Sequence, residues 1–191
     1  MSPPGNIPTL GRVRRVAVIG PIGAGKSRLA GELGRLLGIR VLHLDALFWK
    51  PGWVATPSDE WESRQRRELA ADSWIAEAQF DDILPEWVET ADTVVFVDAS
   101  PLRCLWHVSR RRLNRQASVG TPTGTEPAPF HRALSKFVRN QWLYRRTVRR
   151  KLLAELARER EGRRVVVLRR GSDASEFLRD VDSASAAGGT L

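Results

Sequence analysis

The chain holds one cysteine, one methionine and one tyrosine in 191 residues. A lone Cys104 excludes an internal disulfide and a cysteine-rich metal site, and its helical surroundings mark it as a small core residue. No apolar run approaches the ~18 residues that a membrane-spanning helix needs. The stretch up to Arg12 carries Pro3, Pro4 and Pro8 but no apolar segment, so a loose tail over 1–12 and no secretory leader are expected. The histidines His43, His107 and His131 have no metal-ligand spacing, and core or surface positions are expected for all of them. Together these absences favour the cytoplasm. Lysine is also scarce: only Lys26, Lys50, Lys136 and Lys151 occur, and arginine supplies the rest of the 31 basic residues.

Charge is plentiful but unevenly placed. The net charge is +9, yet residues 1–102 sum to −3, residues 103–170 to +15 and residues 171–191 to −3. A concentrated positive field suits a polyanion, either a nucleic acid or a nucleotide with several phosphates. Some of these arginines will only solubilise helix faces.

The most informative stretch is Gly20-Pro21-Ile22-Gly23-Ala24-Gly25-Lys26-Ser27, a G-x-x-x-x-G-K-S phosphate-binding loop. Arg15-Val16-Ala17-Val18-Ile19 before it reads as a buried strand. Leu29, Leu33, Leu36 and Leu37 after it fall at helical spacing. The glycines let successive backbone N–H groups converge on a phosphate, and the helix N-terminus adds partial positive charge. Arg28 completes the nucleotide-binding run. In such a loop Lys26 reaches the β- and γ-phosphates of ATP, and the Ser27 hydroxyl ligates Mg²⁺.

Further elements follow in alternation. Gly38 is placed to end the first helix. Strands are predicted over 39–44, 74–78, 93–97 and 164–168, the first and third of these ending at Asp45 and Asp98. Residues 46–55 read as an aromatic loop with Phe48, Trp49 and Trp53. A helix from Thr56 to about Asp72 should be capped by Thr56, with Pro57 in its first position and Asp59 closing a capping box. Further helices are predicted near 85–90, from Ser100-Pro101 through Gln116, over about 131–160 with an apolar stripe including Val148, Leu152 and Leu156, and over 173–181. Residues 117–130 read as a Gly/Pro-rich loop, and 183–191 as a disordered tail. Trp61, Trp87, Trp106 and Phe96 read as core. Alternating strands and helices mean an α/β domain, and such sheets bind ligands at the carboxyl ends of their strands.

These residues resemble P-loop nucleotide kinases. More narrowly, they resemble the adenylate-kinase-like proteins often labelled DNA topology modulation proteins. The likeness is carried by the phosphate loop, by His43-Leu44-Asp45-Ala46-Leu47-Phe48-Trp49 with Pro51-Gly52-Trp53, and by Trp74-Ile75-Ala76-Glu77-Ala78-Gln79-Phe80. It continues through Ala91 to Asp98 and the helix with Cys104-Leu105-Trp106 and Arg110-Arg111-Arg112, covering roughly 14–180. It implies a P-loop NTPase fold of the α/β class, with a parallel sheet of about five strands in order 2-3-1-4-5, helices on both faces and a lid near 112–132, within one domain over 13–182. It also implies ATP and Mg²⁺ as cofactors.

Asp45 would hold a substrate hydroxyl or a metal-bound water opposite the loop. Glu77 takes the place of the acid that ends the third strand, on the metal and substrate side, while Asp98 fits the pattern of four apolar residues followed by Asp. Both stay candidates, with Glu77 preferred. Arg111 before the lid and Arg145 after it are the arginines assigned to the transferred phosphate. Arg145 lies on its helix's apolar stripe, so it either snorkels or faces the site. Trp49 and Trp53 either stack on a substrate ring or pack their own loop. The family usually continues with Gly-Asn-Tyr where this chain has Ala78-Gln79-Phe80, so the contact at Phe80 departs from the pattern.

The leading reading is a kinase that moves the γ-phosphate of ATP to a small acceptor, a nucleotide or nucleoside, acting as a monomer or homodimer. A nucleic-acid-associated ATPase or regulator is the alternative from the basic segment. Nucleotide binding without turnover is a third. Nucleic acid is the less favoured partner because the arginines flank one loop and no recognised binding motif accompanies them.

Overall fold

The structure is a computed structural model. It describes residues 13–51, 54–78, 85–113, 139, 144–156 and 163–187. Along the chain, β1 (Arg15–Ile19) leads through the glycine-rich loop into α1 (Lys26–Leu37). Then come β2 (Val41–His43), α2 (Leu44–Phe48), the ribbon strands β3 (Trp49–Lys50) and β4 (Val54–Ala55), and α3 (Ser58–Leu69). β5 (Trp74–Ala78), α4 (Pro85–Thr90), β6 (Thr93–Val97) and α5 (Pro101–Leu113) follow. A π-helical turn, Tyr144–Val148, runs directly into α6 (Arg149–Leu156), and β7 (Arg164–Leu168) and α7 (Gly171–Ala187) close the described chain.

Five strands form one parallel sheet in the order β2-β5-β1-β6-β7. Counting only these five in chain order, that is 2-3-1-4-5, as expected. The strands are rich in Val and Ile because both faces of the sheet are covered. Alternation sends Val16, Val18, Ile75 and Val95 to one face, where Leu29 and Leu33 of α1 and Phe177 and Val181 of α7 pack on them. Ala17, Ile19, Val94 and Phe96 meet Trp87 of α4 and Leu152 and Leu156 of α6 on the other face. Full burial of a side chain such as Ile19 or Phe96 contributes roughly 1.5–3 kcal/mol. Trp61, Trp87 and Phe96 are buried, as expected, and so is Cys104. No helix among the described residues is long and apolar enough to cross a membrane.

Gly38 ends α1 in a left-handed conformation, its N–H returning to the Gly34 carbonyl. Several expected boundaries differ. β2 stops at His43, so Asp45 lies in the first turn of α2 rather than at a strand end. The stretch expected to be a plain loop contains that helix and the β3–β4 ribbon, held by T-shaped packing of Phe48 on Trp49 and on Trp61. Thr56 does not cap α3. The N-cap is Pro57, with no side-chain bond, because the Thr56 hydroxyl donates to the Phe48 carbonyl and closes the ribbon. The helix expected to run regularly over 131–160 has a π-helical turn at 144–148 within its described part. The last helix starts at Gly171 and extends to Ala187, where disorder was expected from 183. Its closing Ser/Ala stretch favours helix once Val181 anchors the preceding turn in the core. The expected tail at 1–12, residues 188–191 and nearly all of the expected lid lie outside the described residues.

Candidate active site

The loop between β1 and α1 is shaped by its own backbone. The Ala24 N–H bonds back to the Pro21 carbonyl at 3.2 Å, and the Leu29 N–H to the Gly25 carbonyl at 3.1 Å. Gly25 is the N-cap of α1 in a left-handed conformation (φ 97°, ψ 16°), with no side-chain cap and no acidic residue in the first turn. The opening amides of α1 are therefore not supplied with an anion by any side chain of that turn. Space within 4 Å of a Gly25 Cβ is empty, so the loop opens toward a ligand there. Gly23 (φ 80°) is opposite in character: a Cβ on it would sit 2.6 Å from the Cys104 carbonyl oxygen of α5. His107 of the same helix bonds the Gly23 carbonyl through Nδ1 at 2.9 Å. A carbonyl only accepts, so His107 carries its proton on Nδ1.

Lys26 is buried at 7% exposure, with Nζ donating to the Pro21 carbonyl at 3.2 Å. The Ser27 hydroxyl, in the first turn of α1, donates to Glu77 Oε1 of β5 at 3.0 Å. That approach follows from sheet register, which sets Val18 beside Glu77 and His43 beside Glu77. His43 Nδ1 lies 2.7 Å from the same oxygen. Burial alone would push the Glu77 carboxyl up. The His43 hydrogen bond, the Lys26 and His43 charges and the Ser27 hydroxyl together bring it below its ordinary value, so Glu77 is ionised. Arg28 turns outward, 87% exposed, onto Glu32, and Ile22 is also exposed.

Asp98, the competing acid, is engaged elsewhere. Arg149 at the start of α6 grips it with two bonds, Nε to Oδ1 at 2.8 Å and Nη2 to Oδ2 at 2.7 Å. This pair keeps the Arg149 guanidinium above its usual range, chiefly through that hydrogen bonding, and it anchors α6 to the end of β6. Ser27 is thus paired with Glu77, while both carboxylate oxygens of Asp98 are taken by Arg149. Asp45 stands two residues beyond His43 at the same sheet edge.

A cleft of about 620 Å³ runs from the loop along the start of α1 to α5 and the turn before α7, a size suited to a small molecule. Its far wall holds Arg103, Trp106, His107, Arg110 and Arg170. Trp106, expected in the core, is 54% exposed, and the Arg110 guanidinium sits 5.2 Å from its ring centroid. A helical wheel could have found it. Trp106 lies two residues from buried Cys104, about 200° around the helix, on the outer stripe with Leu102 and Arg110. Asp173 Oδ2 accepts the Arg169 and Arg170 N–H groups at 2.9 and 2.8 Å and so sets the turn that carries Arg170 into the cleft. Those backbone bonds, Arg170 first, hold the Asp173 carboxyl below its usual range.

Trp49 is half-buried against Phe48 rather than free in a loop. Trp53 and Phe80 lie outside the described residues, as do the side chains of Arg111 and Arg145. Two contacts were missed by sequence reasoning: His43 and His107, expected as bland core or surface residues, touch the acid and the loop.

No family model matches the chain, and no curated protein matches it. Solved structures are similar to it, and the first of the following shares its fold. A shikimate kinase from Acinetobacter baumannii, in complex with shikimate, aligns over 94% of this chain and 96% of that one at 14% identity, with a TM-score of 0.56. A gluconokinase from Sinorhizobium meliloti aligns over 91% and 92% at 16% identity with a TM-score of 0.49. A sugar kinase from Janibacter aligns over 92% and 94% at 16% identity with a TM-score of 0.46. The fold shared with the shikimate kinase is an α/β domain with a five-stranded parallel sheet, here with the glycine-rich loop following its central strand. These neighbours support a kinase-like fold and not the narrower resemblance to adenylate-kinase-like DNA topology modulation proteins.

Proposed function

We propose that the protein transfers the γ-phosphate of ATP to a small acceptor, a nucleotide or nucleoside. The observation that carries this reading is the contact between Ser27 Oγ and Glu77 Oε1 at the foot of the loop, beside buried Lys26. A hydroxyl and an ionised carboxylate are hard oxygen donors and fit Mg²⁺, which fills its remaining positions with phosphates and water. What the metal supplies when bound is charge neutralisation across the β- and γ-phosphates.

The rest falls to the chain. The uncapped amides of α1 receive the phosphates, and Lys26 neutralises charge on the transferred group. Ser27 directs its proton to Glu77 and keeps its lone pairs for the metal. Arg103, Arg110 and Arg170 hold the anionic nucleotide from the far wall, and exposed Trp106 offers its face to the base. Asp45 holds the acceptor hydroxyl and takes its proton as the acceptor oxygen bonds the γ-phosphorus and the bond to the β–γ bridging oxygen breaks, releasing ADP. Arg111 and Arg145 are assigned to close over the transferring group. Three arginines of the basic segment line this cleft, which supports nucleotide phosphates over nucleic acid as their partner.

The test is ADP release measured against nucleoside monophosphates, nucleosides, sugars and hydroxy acids, with and without DNA. Release should depend on one class of small acceptor and not on DNA. ATP turnover seen only with DNA, with salt-sensitive DNA binding, would replace this reading by the regulator.

A further inference from the structure

We infer that His43 is a positioning residue that fixes the Glu77 carboxylate for the metal, an inference that rests on the phosphotransfer reading above. Parallel pairing places His43 of β2 directly beside Glu77 of β5 at the carboxyl edge of the sheet. One oxygen, Glu77 Oε1, takes two donors, Ser27 Oγ at 3.0 Å and His43 Nδ1 at 2.7 Å. Oε2 accepts nothing among the described residues. An ionised carboxylate only accepts, so the imidazole donates through Nδ1.

The final torsion of a glutamate is soft and nearly two-fold, so one donor from Ser27 does not decide which oxygen faces the loop or how the carboxylate plane is turned. A second donor from another strand settles both. It leaves Oε2 uncommitted and the Ser27 lone pairs correctly turned. Hydrogen bonds of this kind behind a metal-side carboxylate alter metal affinity without touching the metal. The two side chains are unequally exposed, 29% for His43 and 7% for Glu77, so the imidazole backs the carboxylate from the solvent side.

The test compares His43→Leu, His43→Asn and His43→Gln with the wild type. Asn carries a donor nitrogen on Cγ, as Nδ1 does, while the Gln nitrogen is one bond further out. Mn²⁺ binding to the protein–ADP complex is read from the free Mn²⁺ resonance signal, without turnover. ADP affinity is measured separately in chelator, and unfolding by urea. His43→Leu should weaken Mn²⁺ binding by about 10–100-fold with ADP affinity in chelator unchanged. His43→Asn should recover most of the loss and His43→Gln should not. Wild-type Mn²⁺ affinity in His43→Leu overturns the inference. So does equal loss in His43→Asn, or a parallel fall of metal-free ADP affinity, since a merely structural role predicts both. If the wild type itself binds no metal with ADP, the phosphotransfer reading falls and takes this inference with it, whereas metal binding insensitive to His43 removes the inference alone.

Discussion

Replacing Gly23 and Gly25 separately by alanine should give two very different proteins. Both glycines sit at positive φ, 80° and 97°. An L-residue held there loses about 1–2 kcal/mol to contact between its Cβ and its own carbonyl. For Gly25 the cost stops there, because the added methyl meets nothing within 4 Å. For Gly23 the methyl lands 2.6 Å from the Cys104 oxygen and 2.9 Å from Val108 Cγ2. Cys104 is fully buried in α5, so relief requires the helix to move, an overpacking cost of about 1–3 kcal/mol more. Gly23→Ala should therefore lose about 2–5 kcal/mol in all. For a chain of this size each kcal/mol shifts Tm by about 2–4 °C. Urea and thermal unfolding of the two variants side by side read the difference. Gly25→Ala should lose only the about 1–2 kcal/mol of its own backbone strain, while its methyl fills the open mouth of the loop and blocks ATP binding. Equal stability losses in the two variants, or a larger loss in Gly25→Ala, would refute the close packing of α5 on the loop.

Lys26→Ala should abolish ATP turnover while circular dichroism and Tm stay near wild type; retained turnover would remove the loop from the mechanism. Arg149→Ala leaves the buried Asp98 carboxylate without its fork. Because the Arg149 side chain is 29% exposed, the loss should fall at or below the ~3–5 kcal/mol seen on breaking fully buried pairs, and a double-mutant cycle with Asp98→Asn should recover most of it. Trp106→Ala should weaken nucleotide binding by about 1–3 kcal/mol in isothermal titration without altering unfolding, since the exposed indole lines the cleft. The Glu77 carboxyl titrates lower folded than unfolded, so its stabilisation is present above the unfolded value and lost as pH falls through the folded one. Urea unfolding of wild type against Glu77→Gln should show a gap at neutral pH that closes on the acid side of the carboxylate range.

The phosphate loop could be read directly because its parts are neighbours in the chain. Strand, glycines, Lys26 and Ser27 follow one another, and local sterics suffice to fold them together. The same holds for Gly38 after α1 and for the Val-rich strands β6 and β7, whose composition says that both faces are covered. The choice between Glu77 and Asp98 was posed by the sequence but not closed by it. Each ends an apolar strand, and only β5 standing against β1 and β2 puts Glu77 within reach of Ser27 and His43.

Local patterns also misled where a side chain had a better distant partner. Thr56 looks like a helix cap, yet its hydroxyl bonds the Phe48 carbonyl eight residues earlier. Trp106 looks like core by composition, yet the buried face of α5 is set by Cys104 against the loop, which turns the indole to the cleft. By itself the sequence determined the order of the five sheet strands along the chain and the loop between β1 and α1, because these depend on contiguous residues and on periodicity. Tertiary structure alone decided that His43 backs Glu77, that His107 holds the Gly23 carbonyl and that Arg149 occupies Asp98. These partners lie 34 to 84 residues apart, and their meeting depends on strand register and helix packing, which no local pattern encodes.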